Sequence, residues 1–133
     1  MKLTRRSEYA LLALIHLARV EGEGYVAVSA MAEAQGLPAR FLEQLLMALK
    51  RAGLVKSQKG PHGGYRLARP AGKISLAEVI RLLDGALAPT ESVSRYFYES
   101  TPVEREKRLL RVFKEIRDVV STKLEKTALA DVL

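Results

Sequence analysis

The sequence predicts a mainly α-helical fold with one small β-hairpin and a long helix near the C-terminus. Three observations support this class. In several segments the apolar residues recur at spacings of three and four, as on one face of a helix. The stretch "KSQKGPHGGYRLARP" places glycine and proline between two strand-like runs. Residues 101–126 then repeat the helical spacing over about seven turns.

Composition limits the size and class of the protein. With 133 residues the chain is long enough for one domain with a hydrophobic core and too short for two ordinary domains. The absence of cysteine excludes disulfides, thiolate zinc sites, cysteine nucleophiles and ordinary iron–sulfur ligation. The opening "MKLTRRSEYALLALIHLA" is similar to a secretory signal, but Glu8 and His16 interrupt the apolar run. We expect a cytoplasmic protein with no membrane partner.

The positive charge is concentrated in the first half of the chain. The net charge is +7 and the pI about 9.9. Residues 1–72 hold 11 Lys and Arg against 5 Asp and Glu, whereas residues 73–133 hold 11 against 10. A polyanion such as nucleic acid is therefore the expected partner of the first half.

The first three helices are expected over residues 4–19, 29–35 and 38–52. The first is followed by the turn-prone "EGEG" and the β-prone "YVAV". Ser29 is a suitable N-cap for the second, which stops at Gly36. Pro38 suits the first position of the third, and Gly53 ends it. Two helices joined by "GLP" form a helix-turn-helix.

A β-hairpin over residues 54–69 and a fourth helix follow. The hairpin joins "LVKSQ" to "GYRLAR" through the glycine-rich "KGPHG". Ser75 and Glu78 form a capping box for the next helix, which ends at Gly85. Residues 86–100 lack periodicity and are expected to be a connecting loop.

The longest helix is expected to begin at a second capping box, Thr101 to Glu104, and to span about 37 Å. Its apolar stripe needs a partner, and the same helix of a second subunit is the most economical one. The alternative is a helix that folds back on its own domain. The residues assigned to the dimer interface are Leu109, Val112, Phe113, Ile116, Val120 and Leu124.

A polar stripe lies opposite the leucine face of the third helix. Arg40, Glu43 and Gln44 can read base edges, because arginine binds guanine, glutamine binds adenine, and glutamate accepts from the cytosine amino group. Lys50 and Arg51 follow on the same side and suit phosphate contact. A solvated helix face is the alternative for any one of these residues. A basic hairpin directly after such a helix predicts a winged helix-turn-helix DNA-binding domain.

In that fold the hairpin is the wing. Lys59 lies at its tip and His62 in the turn, and Arg66 and Arg69 are on the return side, so they suit phosphate or minor-groove contact. Glycine allows the backbone to approach DNA closely and to adopt positive φ. A nucleotide-binding loop is the rival interpretation of "GPHGG", but the Gly-Lys-Ser/Thr ending is missing and the segment leads into a strand.

Other candidate chemistry is sparse. No carboxylate pair, nucleophile–base arrangement or metal-ligand spacing is present, so we expect no enzyme activity and no metal. His16 fits a core or interface position better than a ligand role. Tyr96, Phe97 and Tyr98 fit either a core or interface cluster or an effector pocket.

The chain resembles the Rrf2 family of bacterial winged-helix regulators. The resemblance runs through "MKLTRRSEYAL", "FLEQLL", "LKRAGLV", "KGPHGGYRLARP", "EVIRLLDG" and "TALADVL" and covers nearly the whole chain. It implies a homodimeric transcription factor that binds a palindromic operator, usually as a repressor. It assigns base reading to Arg40, Glu43 and Gln44 and minor-groove contact to Lys59. Thr4, Arg5 and Tyr9 match phosphate-contacting positions.

One departure from the family concerns its cofactor. Cluster-bearing relatives place three cysteines in the loop that aligns with residues 86–103, and this chain has none there. Glu8 matches an acidic cluster ligand of some relatives, but a lone carboxylate cannot hold the cluster. We therefore expect the cluster-free branch of the family, in which a partner protein or a small-molecule effector supplies the signal.

We assign residues 1–85 to the DNA-binding domain, residues 86–100 to the connecting loop, and residues 101–133 to the dimerisation helix and a short C-terminal helix. Two other functions stay open. A winged-helix module could bind another protein and have little specific DNA binding, and structured RNA could replace DNA. Titration against random and genomic DNA at several salt concentrations tests the protein-binding module, and competition between duplex DNA and RNA tests RNA recognition.

Overall fold

The computed structural model describes all 133 residues and confirms the mainly helical class with one hairpin. The elements follow in the order α1 (Arg5–Arg19), α2 (Val28–Gln35), α3 (Ala39–Arg51), β1 (Val55–Gln58), β2 (Gly64–Leu67), α4 (Leu76–Asp84) and α5 (Lys107–Lys126). Short 3-10 helices lie at Ala71–Lys73, Glu91–Val93, Pro102–Arg105 and Leu129–Val132.

One hydrophobic core joins the helix-turn-helix to the hairpin. Helix α1 lies at its centre and packs against α2, α3, α4 and β2. The helices and the hairpin contact each other mainly through leucine side chains. Full burial of one leucine contributes about 1.5–3 kcal/mol to the stability of the fold. The largest core side chains that are fully buried are Leu14, Met31, Leu42, Leu46, Leu49, Leu54, Ile74 and Leu129.

The start of α2 differs from the prediction. Ser29 does not cap this helix, which begins at Val28 after Ala27 without a side-chain cap. The reason is tertiary. Val26 exchanges two backbone hydrogen bonds with Tyr65, at 2.8 and 2.9 Å, so the extended chain ends there and the helix begins directly afterwards. Pro38 likewise lies one residue before α3 rather than at its first position.

The predicted capping box at Thr101 is wrong. Residues Pro102–Arg105 form a 3-10 helix, and α5 begins only at Lys107, so α5 is 20 residues and about 30 Å long. The Thr101 hydroxyl donates to Ser92 at 2.7 Å instead of capping a helix. Glu104 accepts from Tyr98 and Ser100. These contacts with the preceding loop prevent a continuous helix from residue 101.

The C-terminal segment returns to the N-terminal core. The Leu76 amide donates to the Thr127 carbonyl, and Ser75 pairs with Ala128 in a single β-bridge. Leu129 has no exposed surface and belongs to the same core as α1. Residues 127–133 are thus packed on the part of the chain assigned to DNA binding, although the sequence suggested a separate unit over 101–133.

Candidate nucleic-acid interface

Helix α3 separates its apolar and polar residues cleanly. Its buried face consists of leucines, which fix the rotation of the helix on the core. Arg40, Glu43 and Gln44 are therefore held on the opposite face, and all three are exposed. Met47 is exposed on the same side, 46% of its surface being accessible. Lys50 and Arg51 end this stripe in the last turn of α3.

The hairpin lies beside this polar stripe. Strands β1 and β2 are antiparallel, with Ser57 opposite Tyr65 and Gln58 opposite Gly64. Lys59 and His62 are exposed at the tip, as the sequence predicts for a wing. Arg69 donates to Glu78 at 2.6 Å in an exposed salt bridge, so a phosphate contact would compete with this pair.

Two wing glycines are required by the fold itself. A Cβ atom on Gly63 would overlap the Gln58 carbonyl, and one on Gly64 would overlap the Val26 carbonyl. Gly64 also has a φ of +141°, which L-residues rarely adopt. These glycines allow close contact within the protein. This is a second reason for glycine at positions 63 and 64, and the close approach to DNA suggested by the sequence stays a prediction.

Helix α3 and the wing enclose a groove of about 700 Å³. Lys50, Arg51 and Lys59 line it, and none of these cations takes part in a salt bridge within the chain. Glu43 is the only carboxylate among the lining residues. The groove is therefore positively charged and open to an anionic partner.

Glu43 contacts a wing residue that the sequence did not single out. The Tyr65 hydroxyl donates to the Glu43 carboxylate at an O–O distance of 3.4 Å. Burial, followed by the charge and hydrogen bond of Glu43, raises the pKa of Tyr65. Strand alternation places Tyr65 on the core side with Leu67, and a core tyrosine needs a partner for its hydroxyl. That rule could have identified Tyr65.

The N-terminus of α1 is tied to the end of α4. The Thr4 hydroxyl accepts from the Ser7 amide and caps α1. The same hydroxyl donates to Asp84 at 2.6 Å, and the Thr4 amide donates to Asp84 at 3.0 Å. Burial alone would raise the pKa of Asp84, but these hydrogen bonds lower it. Thr4 is thus engaged within the protein, while Arg5 beside it is exposed.

Two ring contacts position other predicted site residues. Tyr9 of α1 meets Phe41 of α3 edge to face, with ring centroids 5.6 Å apart. The Arg66 guanidinium lies 4.6 Å from the centre of the Tyr25 ring. Arg66 is half-buried and its Nε has no hydrogen-bond partner within the chain. Arg66 therefore helps to hold the wing as well as supplying charge.

Helix α5 leaves much of its apolar stripe uncovered. Leu109, Val112 and Ile116 are 42–48% exposed, and Val119 is 72% exposed. Phe113 and Val120 are half-buried. Leu124 instead packs against the small cluster of Ala77, Ile80 and Leu87, so it serves the contact between α5 and α4.

The aromatic loop is at the surface. Tyr96, Phe97 and Tyr98 are 69%, 43% and 60% exposed, so they do not form a core cluster, and the interface and effector-pocket alternatives stay predictions. Arg81 lies over the Tyr96 ring, and the Tyr98 hydroxyl donates to Glu104 at 2.7 Å, which raises the pKa of Tyr98.

His16 is half-buried on α1. No helix combines the length and apolar content that a bilayer span requires.

Comparison with known proteins assigns the family. The Rrf2 family model, described as iron-dependent transcriptional regulator, matches residues 3–133. The chain belongs to the Rrf2 family. CymR of Bacillus subtilis is 35% identical over 98% of this chain and 88% of the relative.

Solved structures agree with this assignment. B. subtilis CymR, described as the global cysteine regulator of that organism, has a TM-score of 0.80 at 33% identity, covering 99% of this chain and 95% of that one. T. potens IscR has a TM-score of 0.71 at 35% identity, covering 99% and 85%. The predicted family and winged-helix fold are confirmed, and this Rrf2 protein is a DNA-binding transcriptional regulator rather than an enzyme.

The iron in the family description does not fit the donor atoms of this Rrf2 protein. An iron–sulfur cluster needs thiolate ligands, and the chain has no cysteine. No group of three or more His, Asp or Glu side chains lies close enough to hold a metal ion. The residues therefore do not match a resident cluster, and the cluster-free regulator stays a prediction.

Proposed function

We propose that the protein is a homodimeric repressor that binds a palindromic operator, with α3 in the major groove and the wing at the adjacent minor groove. One observation carries this proposal: Glu43, Lys50 and Arg51 of the exposed α3 stripe line the same positively charged groove as Lys59 at the tip of the wing, and Arg40 and Gln44 are exposed on the same face of α3. Side chains able to read bases and cations able to bind phosphate are thus presented on one surface.

The roles divide between base reading and phosphate binding. Arg40, Glu43 and Gln44 are assigned to base edges, and Lys59, His62 and Arg66 to the minor groove and its flanks. The phosphate contacts are assigned to Thr4, Arg5, Tyr9, Lys50 and Arg51. Asp84 already binds both the amide and the hydroxyl of Thr4, so a phosphate contact by Thr4 would replace one of these hydrogen bonds, whereas the Tyr9 ring is held against Phe41 of α3.

We assign the contact with a second subunit to the apolar face of α5. Leu109, Val112 and Ile116 supply a continuous exposed stripe at helical spacing, and the same face of a two-fold-related copy is complementary to it. Beside this face lies a mainly apolar hollow of about 450 Å³, lined by residues that include Met1, Leu3 and Val120. A dimer would place two α3 helices about 34 Å apart, or a multiple of that distance, on one DNA duplex.

Selection of bound fragments from a random library and from genomic DNA tests this function. We expect an enriched inverted repeat, a dimer by light scattering, and lower transcription from a template that carries the repeat at its promoter. No enriched sequence would contradict specific DNA binding. Enrichment of a single unpaired half-site by a monomer would contradict the dimer. Increased transcription would contradict repression.

A further inference from the structure

We propose that Tyr65 is a positioning residue that orients the Glu43 carboxylate for base reading, and that the wing thereby sets part of the sequence preference of α3. This inference rests on the proposed function, since the orientation of Glu43 matters only if Glu43 faces a base. It goes further because it assigns specificity to a buried strand residue that lies on the wing, outside the polar stripe of α3.

The position of the Tyr65 hydroxyl is set by the core. The residue is only 7% exposed and its ring belongs to the main hydrophobic cluster. Its backbone is held on one side by Ser57 of β1 and on the other by Val26, with which it exchanges hydrogen bonds of 2.8 and 2.9 Å. Gly64 permits the second contact, because a side chain there would overlap the Val26 carbonyl. The phenol is thus a rigid support.

Glu43 has no other hydrogen-bond donor within the chain to restrict it. It is exposed on α3 and takes part in no salt bridge, and the Tyr65 hydroxyl is the one protein group that donates to its side chain. The O–O distance of 3.4 Å is longer than the usual value of about 2.7–2.8 Å for such bonds. A small rotation of the flexible Glu43 side chain shortens it.

Orientation matters because Glu43 shares its groove with Lys50, Arg51 and Lys59. A carboxylate accepts from the cytosine amino group and is repelled by the acceptor atoms of guanine and thymine. A freely rotating Glu43 could turn toward a lysine and leave the base unread. The Tyr65 hydrogen bond favours the conformer near the wing and lowers the entropy lost when Glu43 meets a base.

Tyr65→Phe removes the hydroxyl and keeps the buried ring. Tyr98→Phe is the matched control, because it removes a hydroxyl that likewise donates to a glutamate, Glu104, and neither residue lines the groove. Both variants and the wild type are titrated with the selected operator, with operators changed at single base pairs, and with random DNA. At the base pairs that depend on Glu43, we expect Tyr65→Phe to lower discrimination about three- to tenfold. Affinity for random DNA and the unfolding midpoint should stay close to those of the control.

A double-mutant cycle separates positioning from a general effect. In the Glu43→Ala background, Tyr65→Phe should cause no further loss of discrimination. Full additivity, unchanged preference in Tyr65→Phe, or equal losses on operator and random DNA would overturn the inference and leave the proposed function intact. Failure of the wild type to select any sequence would instead overturn the proposed function.

A spectroscopic test does not depend on the stability of Tyr65→Phe. NMR titration of the Tyr65 Cζ resonance reports the pKa of the phenol in the wild type and in Glu43→Ala. Glu43 raises that pKa through its charge and hydrogen bond, so it should fall when Glu43 is removed. An identical pKa in the two proteins would show that the hydroxyl and carboxylate do not interact and would also overturn the proposal.

Discussion

The Leu129 amide donates a 2.9 Å hydrogen bond to the Ile74 carbonyl, and both side chains are fully buried. The end of the chain is therefore part of the core that supports the DNA-binding elements. Leu129→Ala should lower the free energy of unfolding by about 2–5 kcal/mol, because it leaves a cavity in that core. Denaturant unfolding measures the change. Leu133→Ala is the control, since Leu133 is 51% exposed and its loss should cost less than about 0.5 kcal/mol.

The Thr4–Asp84 contact predicts a pH dependence of stability. The pKa of Asp84 is lowered in the folded protein from its ordinary value of 3.8. Its contribution is thus fully present above pH 3.8 and is lost as the pH falls through the folded-state pKa. Asp84→Ala should lower the free energy of unfolding by about 1–2 kcal/mol at pH 6 and by less at pH 3. An equal loss at both values would contradict this linkage, and exposed Glu99→Ala is the control.

The α3 stripe predicts losses that depend on DNA sequence. Gln44→Ala should cost about 1–3 kcal/mol at particular operator positions and relax the preference there. Glu43→Ala should do the same at other positions. Binding to single-base operator variants measures both effects, with exposed Glu33→Ala on α2 as the control. Equal losses on operator and random DNA would mean that neither residue reads bases.

The wing tip predicts losses that do not depend on sequence. Lys59→Ala should weaken binding to operator and random DNA alike, because it removes one exposed cation from the groove. The slope of log affinity against log salt concentration should fall by about 0.9 for one lost phosphate contact. Lys126→Ala, at the far end of α5, is the control. An unchanged slope for Lys59→Ala would exclude phosphate contact by this residue.

The exposed face of α5 predicts a variant that separates folding from assembly. Val112→Glu places a charge on a side chain that is 48% exposed, so the subunit should still fold. In a dimer it would bury an unpaired charge, which should convert the protein to a monomer and weaken operator binding at least tenfold. Lys114→Glu on the other side of α5 is the control. Light scattering distinguishes the outcomes, and a Val112→Glu protein that stays dimeric would place the interface elsewhere.

Local patterns predicted most of the fold and the polar face of α3. The leucines of α3 lie three or four residues apart, and that spacing alone places Arg40 and Glu43 on the opposite side. The Ser75 cap was also correct, since its hydroxyl accepts from the Glu78 amide at 3.1 Å. The capping box at Thr101 failed because partners about ten residues earlier in the chain take its hydroxyl.

The sequence by itself determined the helical periodicity, the hairpin, the family and the absence of thiolate ligands, because each of these depends on residue type and short-range spacing. Only the tertiary structure decided that Tyr65 contacts Glu43, that Thr4 is bound by Asp84, and that Leu129 completes the core. These pairs are 22 to 87 residues apart or join several elements, and no local pattern encodes such distances. They form when core packing brings the elements together.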